Sequence, residues 1–245
     1  VLLKPAADRR TTPGRLELTA VSLAVQQWAP SLPVGALLAD PSPDVRCAAA
    51  RLARSCLSLA LAAGESDSPA GDAAMLASSA ARCVGLPALL QLRSCAEAVR
   101  KAAGTSGSGR GRRSRAPLTD AEAELAAHAC AALCLAAAVP AVPAALLEAA
   151  EVVPAAAAAA LAAAEVSGDG KRRRAVPAVS ARGLAHLRDA ATESAWALWL
   201  ALAQGQGTPR SGLLLSQPCA DAVLRVASMH GGIADAGDAV DQLSA

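Results

Sequence analysis

At 245 residues and 53% hydrophobic, the chain is long enough to bury a continuous core or a run of stacked units, which excludes disorder throughout. It has no Phe, no Tyr and three Trp, while Ala makes up roughly a quarter of it, so a core anchored on many aromatic rings is excluded as well. The formal net charge is +2, and its placement along the chain matters more than its size.

Residues 1–15, with Arg9, Arg10 and Arg15, form an N-terminal extension without a visible secretory signal, and Val1 in place of Met suggests a processed form or an excerpt. Beyond it, apolar stretches end in helix breakers at Pro30, Gly64, Gly104, Pro140, Gly168 and Gly205, at intervals of 34, 40, 36, 28 and 37 residues. That length fits one helix-turn-helix unit, which cannot bury its apolar face without a neighbour. The expected fold is therefore all-α, an α-solenoid of stacked helix-turn-helix repeats. Repeats are expected over 16–103 and 118–229, with a Gly/Ser/Arg loop at 104–117, a second basic loop at 168–174 and an acidic tail at 230–245.

The first well-signalled helix runs from Ser42 to about Ala63, with Ser42 as N-cap, Pro43 at the first helical position and Asp44 against the helix dipole. Val45, Ala49, Leu52, Cys56, Leu59 and Ala63 form one apolar stripe, and Ala50, Ala53, Leu57 and Leu61 a second beside it. A helix apolar on two sides is sandwiched between others. The next opens on the capping-box pair Thr119 and Glu122 and runs to about Ala138. Its uncharged stretch, Leu125 to Leu147, approaches the length of a membrane span, but Pro140 and Pro143 interrupt it and Ala dominates, so a buried helical hairpin is expected and no span. A third helix covers about Asp189 to Ala203, with Trp196, Trp199 and Leu200 packed into a neighbour.

Short strings recur along these helices: RSCLSLALAAG at Arg54–Gly64, RSCAEAVRKAAG at Arg93–Gly104, HACAALCLAAA at His128–Ala138 and SAWALWLALAQG at Ser194–Gly205. LLADPSPDVRCAAARLA, Leu37 to Ala53, resembles the inner turn of an armadillo or HEAT repeat. GLPALLQLRSCAEAVRKAAG, Gly85 to Gly104, is similar to a second copy, with Val99, Arg100 and Ala102 in the places of Val45, Arg46 and Ala48. SAWALWLALA is similar to an armadillo helix, and AVPAALLEA, Ala141 to Ala149, to its closing helix. The LWLALA string, Leu198 to Ala203, and the mean spacing of 35 also resemble octotricopeptide-type organellar repeats. Two registers compete, because Val45 with Val99 gives an offset of 54 and the RSC strings give 39. The armadillo/HEAT resemblance implies a protein-binding array, and the octotricopeptide resemblance an RNA-binding one.

The seven cysteines, Cys47, Cys56, Cys83, Cys95, Cys130, Cys134 and Cys219, include no CxxC pair and read as reduced, buried small residues of an intracellular protein. His128 stands near Cys130 and Cys134, but a fourth ligand at finger-like spacing is missing, so no metal and no cofactor is assigned. His128, His186 and His230 fall on separate elements without a visible carboxylate or nucleophile, and GDGK, Gly168 to Lys171, lacks the upstream Gly of a phosphate-binding loop. No catalytic residue, no enzymatic activity and no small-molecule substrate is expected.

Two basic runs interrupt the apolar series: Arg110, Arg112, Arg113 and Arg115, and Lys171, Arg172, Arg173 and Arg174. Without these eight, 15 Lys and Arg face 21 Asp and Glu, so the body is acidic by six and the loops reverse its sign. They are the candidate contacts to RNA or another polyanion, since Arg forks match phosphate oxygens; solvated loops that keep an apolar chain soluble are the alternative. The expectation is a non-enzymatic scaffold holding protein partners in a large eukaryotic assembly, or else an organellar RNA-binding, ribosome-associated protein. A reducing compartment fits both, cytoplasmic or cytoskeletal in the first case and mitochondrial or chloroplast in the second.

Overall fold

The computed structural model describes residues 33–64, 70–104, 119–168 and 179–205, together with Gln27 and Ser31. Among them every regular element is a helix and no strand occurs, so the fold is all-α. In chain order the helices are α1 (Val34–Leu38), α2 (Pro43–Gly64), α3 (Ala70–Cys83), α4 (Leu86–Gly104), α5 (Asp120–Ala138), α6 (Ala144–Ala149), α7 (Val152–Gly168) and α8 (Ala181–Gly205).

The local signals act where the chemistry places them. At α5, Thr119 Oγ1 accepts from the Glu122 backbone N–H at 3.3 Å while Glu122 Oε2 accepts from the Thr119 N–H at 2.9 Å, closing the capping box. At α2, the Asp40 carboxylate accepts from the Ser42 N–H at 2.8 Å, and the Ser42 carbonyl accepts from Arg46 N–H as the first helical turn closes. Gly64, Gly104, Gly168 and Gly205 are each the last residue of a long helix. These four glycines thus mark helix ends, and Pro140 follows the end of α5 by two residues.

The breaker series does not mark equal repeats. The intervals ending at Gly64, Gly104 and Gly168 each hold a shorter and a longer helix, whereas those ending at Pro140 and Gly205 hold one long helix among the described residues. Contacts between helices give the order directly. Helix α2 packs on α5 and α5 on α8, while α1 packs on α4 and α4 on α7; α1–α2, α4–α5 and α7–α8 join the two series. Members of one series are far apart in sequence. The helix that follows α2 in its own series starts at Asp120, and the next at Ala181. Neither expected register relates such partners, because both matched α2 to α4. Three of the four recurring strings do fall in one series, on the later turns of α2, α5 and α8.

Helix α5 occupies the centre, touching α2, α4, α7 and α8. From Leu125 to Ala138 all of its residues are buried, which is what a helix apolar all round requires. It is also the described helix long and apolar enough to cross a membrane by length and composition, but a core helix covered by its own chain meets the same criterion. The uncharged run Leu125–Leu147 turns back at Val139–Val142 and continues as the short α6. On α4, Leu89, Leu92, Ala96 and Val99 form the buried stripe, and on α7 Val152, Val153, Ala156, Ala157, Ala159 and Ala160 do the same.

One difference from the sequence expectation has a local cause. Helix α8 starts two turns before Asp189, because Ser180 caps it: Ser180 Oγ accepts from Gly183 N–H at 3.2 Å. Asp120 Oδ1 accepts from the Ser180 N–H at 2.8 Å, tying the starts of α5 and α8 together. A Cβ at Gly183 would stand 2.7 Å from Asp120 Oδ1 and 2.5 Å from Val179 Cγ1, so glycine permits this close approach. The side chains of Trp196, Trp199 and Leu200, both basic loops with Arg110, Arg112, Arg113, Arg115 and Lys171, Arg172, Arg173, Arg174, and the tail 230–245 lie outside the described residues.

A polar junction across three helices as candidate functional site

The series α2, α5, α8 carries one concentration of polar groups in its packing. On α2, Cys47, Arg51 and Arg54 recur at steps of four and three, so they share a face. On α5, Glu124 and His128 do the same, and on α8 His186 and Glu193 are seven residues apart. Arg54 reaches across all three helices. Its Nε donates to Glu193 Oε1 at 3.2 Å, its Nη2 pairs with Glu193 Oε2, and its Nη1 lies 3.0 Å from His128 Nδ1.

The remaining ring nitrogen of His128, Nε2, lies 3.7 Å from Glu124 Oε1, and the His128 and His186 ring centroids are 6.5 Å apart. With Arg54 donating to Nδ1, the ring proton of neutral His128 sits on Nε2 and faces the Glu124 carboxylate. Burial, and then the positive charge of Arg54, lowers the His128 pKa to about 4. Burial, followed by the negative charge of Glu124, raises the Cys47 thiol to about 11. Both groups are thereby held neutral. Cys47 Sγ, a Glu124 carboxylate oxygen and a His128 ring nitrogen all lie within 4.8 Å of one another.

This arrangement corrects the reading of the histidines as scattered groups without a carboxylate partner. His128 has Glu124 one turn away and His186 on the adjacent helix; His230 lies outside the described residues. It also corrects the neighbourhood of His128, which turns to Cys47 rather than to Cys130 and Cys134. At 100° per residue, positions 130 and 134 point well away from position 128. Cys130 and Cys134 instead face the α8 side chain Ser194, whose Oγ is 3.3 Å from Cys130 Sγ, and burial pushes the Cys134 thiol up. The signal for the junction was the spacing Glu124/His128 and Cys47/Arg51/Arg54, but no sequence register placed α2 beside α5.

A second arginine pairs a different junction. Between α6 and α7, Glu151 adopts φ 48°, a left-handed conformation that costs a side-chain-bearing residue about 1–2 kcal/mol. Arg93 on α4 holds it there: its Nη2 lies 2.8 Å from Glu151 Oε2, and its Nη1 donates to the Ala150 carbonyl at 3.4 Å. The two RSC strings thus each supply an arginine that bridges to distant helices, Arg54 to α5 and α8, Arg93 to the α6–α7 turn. Compared with family models, with curated proteins and with solved structures, the chain has no match.

Proposed function

We propose that this chain is a non-enzymatic scaffold, an armadillo/HEAT-like α-solenoid that holds protein partners within a large intracellular assembly. The observation that supports it most is the pair of helix series, α1–α4–α7 and α2–α5–α8, in which each member packs on the next. An array of this kind leaves its outer surfaces for partners, because the buried faces are used between neighbours. The junction residues favour a structural role over a catalytic one. A Cys–His pair works as a nucleophile when the thiol is lowered and the imidazole accepts its proton, whereas Cys47 is raised to about 11 and His128 lowered to about 4.

Sedimentation of a native extract tests this reading. The tagged chain should travel with a species far larger than its own 24.3 kDa. Migration as a free monomer would reject it.

A second reading rests on a separate observation, the two basic runs that reverse the sign of an otherwise acidic body. It makes the chain an organellar RNA-binding repeat protein, with Arg110, Arg112, Arg113, Arg115 and Lys171, Arg172, Arg173, Arg174 on phosphates. A mobility-shift assay against structured RNA at two salt concentrations separates the two. Tight binding that weakens steeply with salt and vanishes when both runs become Ser supports the RNA reading; no binding at low salt rejects it.

A further inference from the structure

We propose that Cys47, Glu124 and His128 form a zinc site that clips α2 to α5. The donors are a thiol, a carboxylate and an imidazole, a set that suits zinc and is too soft for calcium or magnesium. They come from two helices: Glu124 and His128 are one turn apart on α5, and Cys47 faces them from α2.

The geometry is near what the ion requires. Zinc bonds of about 2.0–2.3 Å in a tetrahedron set the ligand atoms about 3.3–3.8 Å apart. His128 Nε2 and Glu124 Oε1 are 3.7 Å apart, and all three ligand atoms lie within 4.8 Å of one another. Cys47 and Glu124 are half-buried, which gives an ion a route in from solvent. The fourth position falls to water.

The surroundings specify how the ion is accommodated. A thiolate and a carboxylate cancel the two charges of zinc, and binding releases the Cys47 proton. Arg51 lies on the same face of α2, where its charge favours the thiolate. With zinc on Nε2 the ring proton moves to Nδ1, so Arg54 must withdraw its Nη1. Glu193 holds the other side of the guanidinium and gives it a place to rest.

Cobalt is the probe, because thiolate ligation produces a near-ultraviolet charge-transfer band and tetrahedral coordination intense visible bands. Titrating the 245-residue chain under reducing conditions should give one equivalent of cobalt carrying both signatures, displaced by zinc. Cys47→Ser and His128→Asn should each abolish them, while Cys95→Ser and Cys134→Ser keep them. Absence of the bands, or bands that survive in Cys47→Ser, overturns the proposal. Should either ligand variant lose its helical circular dichroism, the unmutated chain decides. Zinc should slow alkylation of Cys47 by about tenfold or more, read by mass spectrometry, and leave half-buried Cys95 unchanged. A Cys47 rate that zinc leaves unaltered overturns the assignment.

Discussion

Helix α5 packs in two ways along its length, and the contrast shows how an alanine-rich chain distributes stability and specificity. From Ala129 to Ala138 its neighbours meet small side chains, with Leu133 among the largest fully buried groups. Near its start, Glu124 and His128 meet Cys47 and Arg54, and Arg54 continues to Glu193. The alanine region buries many methyl groups, each worth less than about 1 kcal/mol, and almost any register of two alanine faces would bury the same area. The polar junction is directional. An arginine fork that must find Glu193 and His128 together fits one register of α2, α5 and α8, so the junction supplies what alanine cannot.

Four perturbations follow from this division, the first aimed at the apolar region. Leu133→Ala removes a wholly buried side chain and should cost about 2–5 kcal/mol in urea unfolding, more than any change at the junction. If Arg54→Met costs as much, the contrast fails.

Acid titration should come second. Folded, metal-free His128 binds its proton near pH 4, whereas the unfolded chain binds it near 6.5. The unfolded state therefore takes up the proton first as pH falls, and stability declines between about 6.5 and 4, then levels off. The loss should be on the order of 2–3 kcal/mol, and His128→Gln should flatten that segment of the stability–pH curve.

Arg54→Met should rank third. Both partners of its ion pair are roughly a third exposed, so solvent screening limits the loss to about 1–2 kcal/mol. Its sharper readout is the imidazole: with the neighbouring positive charge gone, the His128 pKa should rise toward its ordinary range by NMR. An unchanged His128 would show that burial alone sets it.

The smallest effect belongs to Asp120→Asn. Backbone and side-chain hydrogen bonds from Ser180 hold the Asp120 carboxyl below its usual range. Its contribution is present above the ordinary carboxylate pKa and fades as pH falls through the lowered one. The variant should show less loss of stability on acidification in that window. The group is exposed, so the change should be the least of the set.

Much of the helical content could be read from residues. Pro43 and Asp44 at the start of α2, the Thr119/Glu122 box and the glycines closing α2, α4, α7 and α8 all act locally, and local rules hold before anything packs. The start of α8 escaped, because its cap Ser180 is held by Asp120, sixty residues away in the chain, and Gly183 leaves room for that approach.

By itself, then, the sequence determined that the described residues are helical, where α2 and α5 begin, where the long helices closed by glycine end, and that their faces are small and apolar. Only the tertiary structure decided that α2, α5 and α8 are neighbours, and with that, which cysteine faces His128 and which acid holds Arg54. The reason is physical: capping and periodicity depend on residues a turn apart, whereas alanine faces are nearly interchangeable and carry no label for their partners. The choice among them waits for the few polar side chains that the assembled helices bring together.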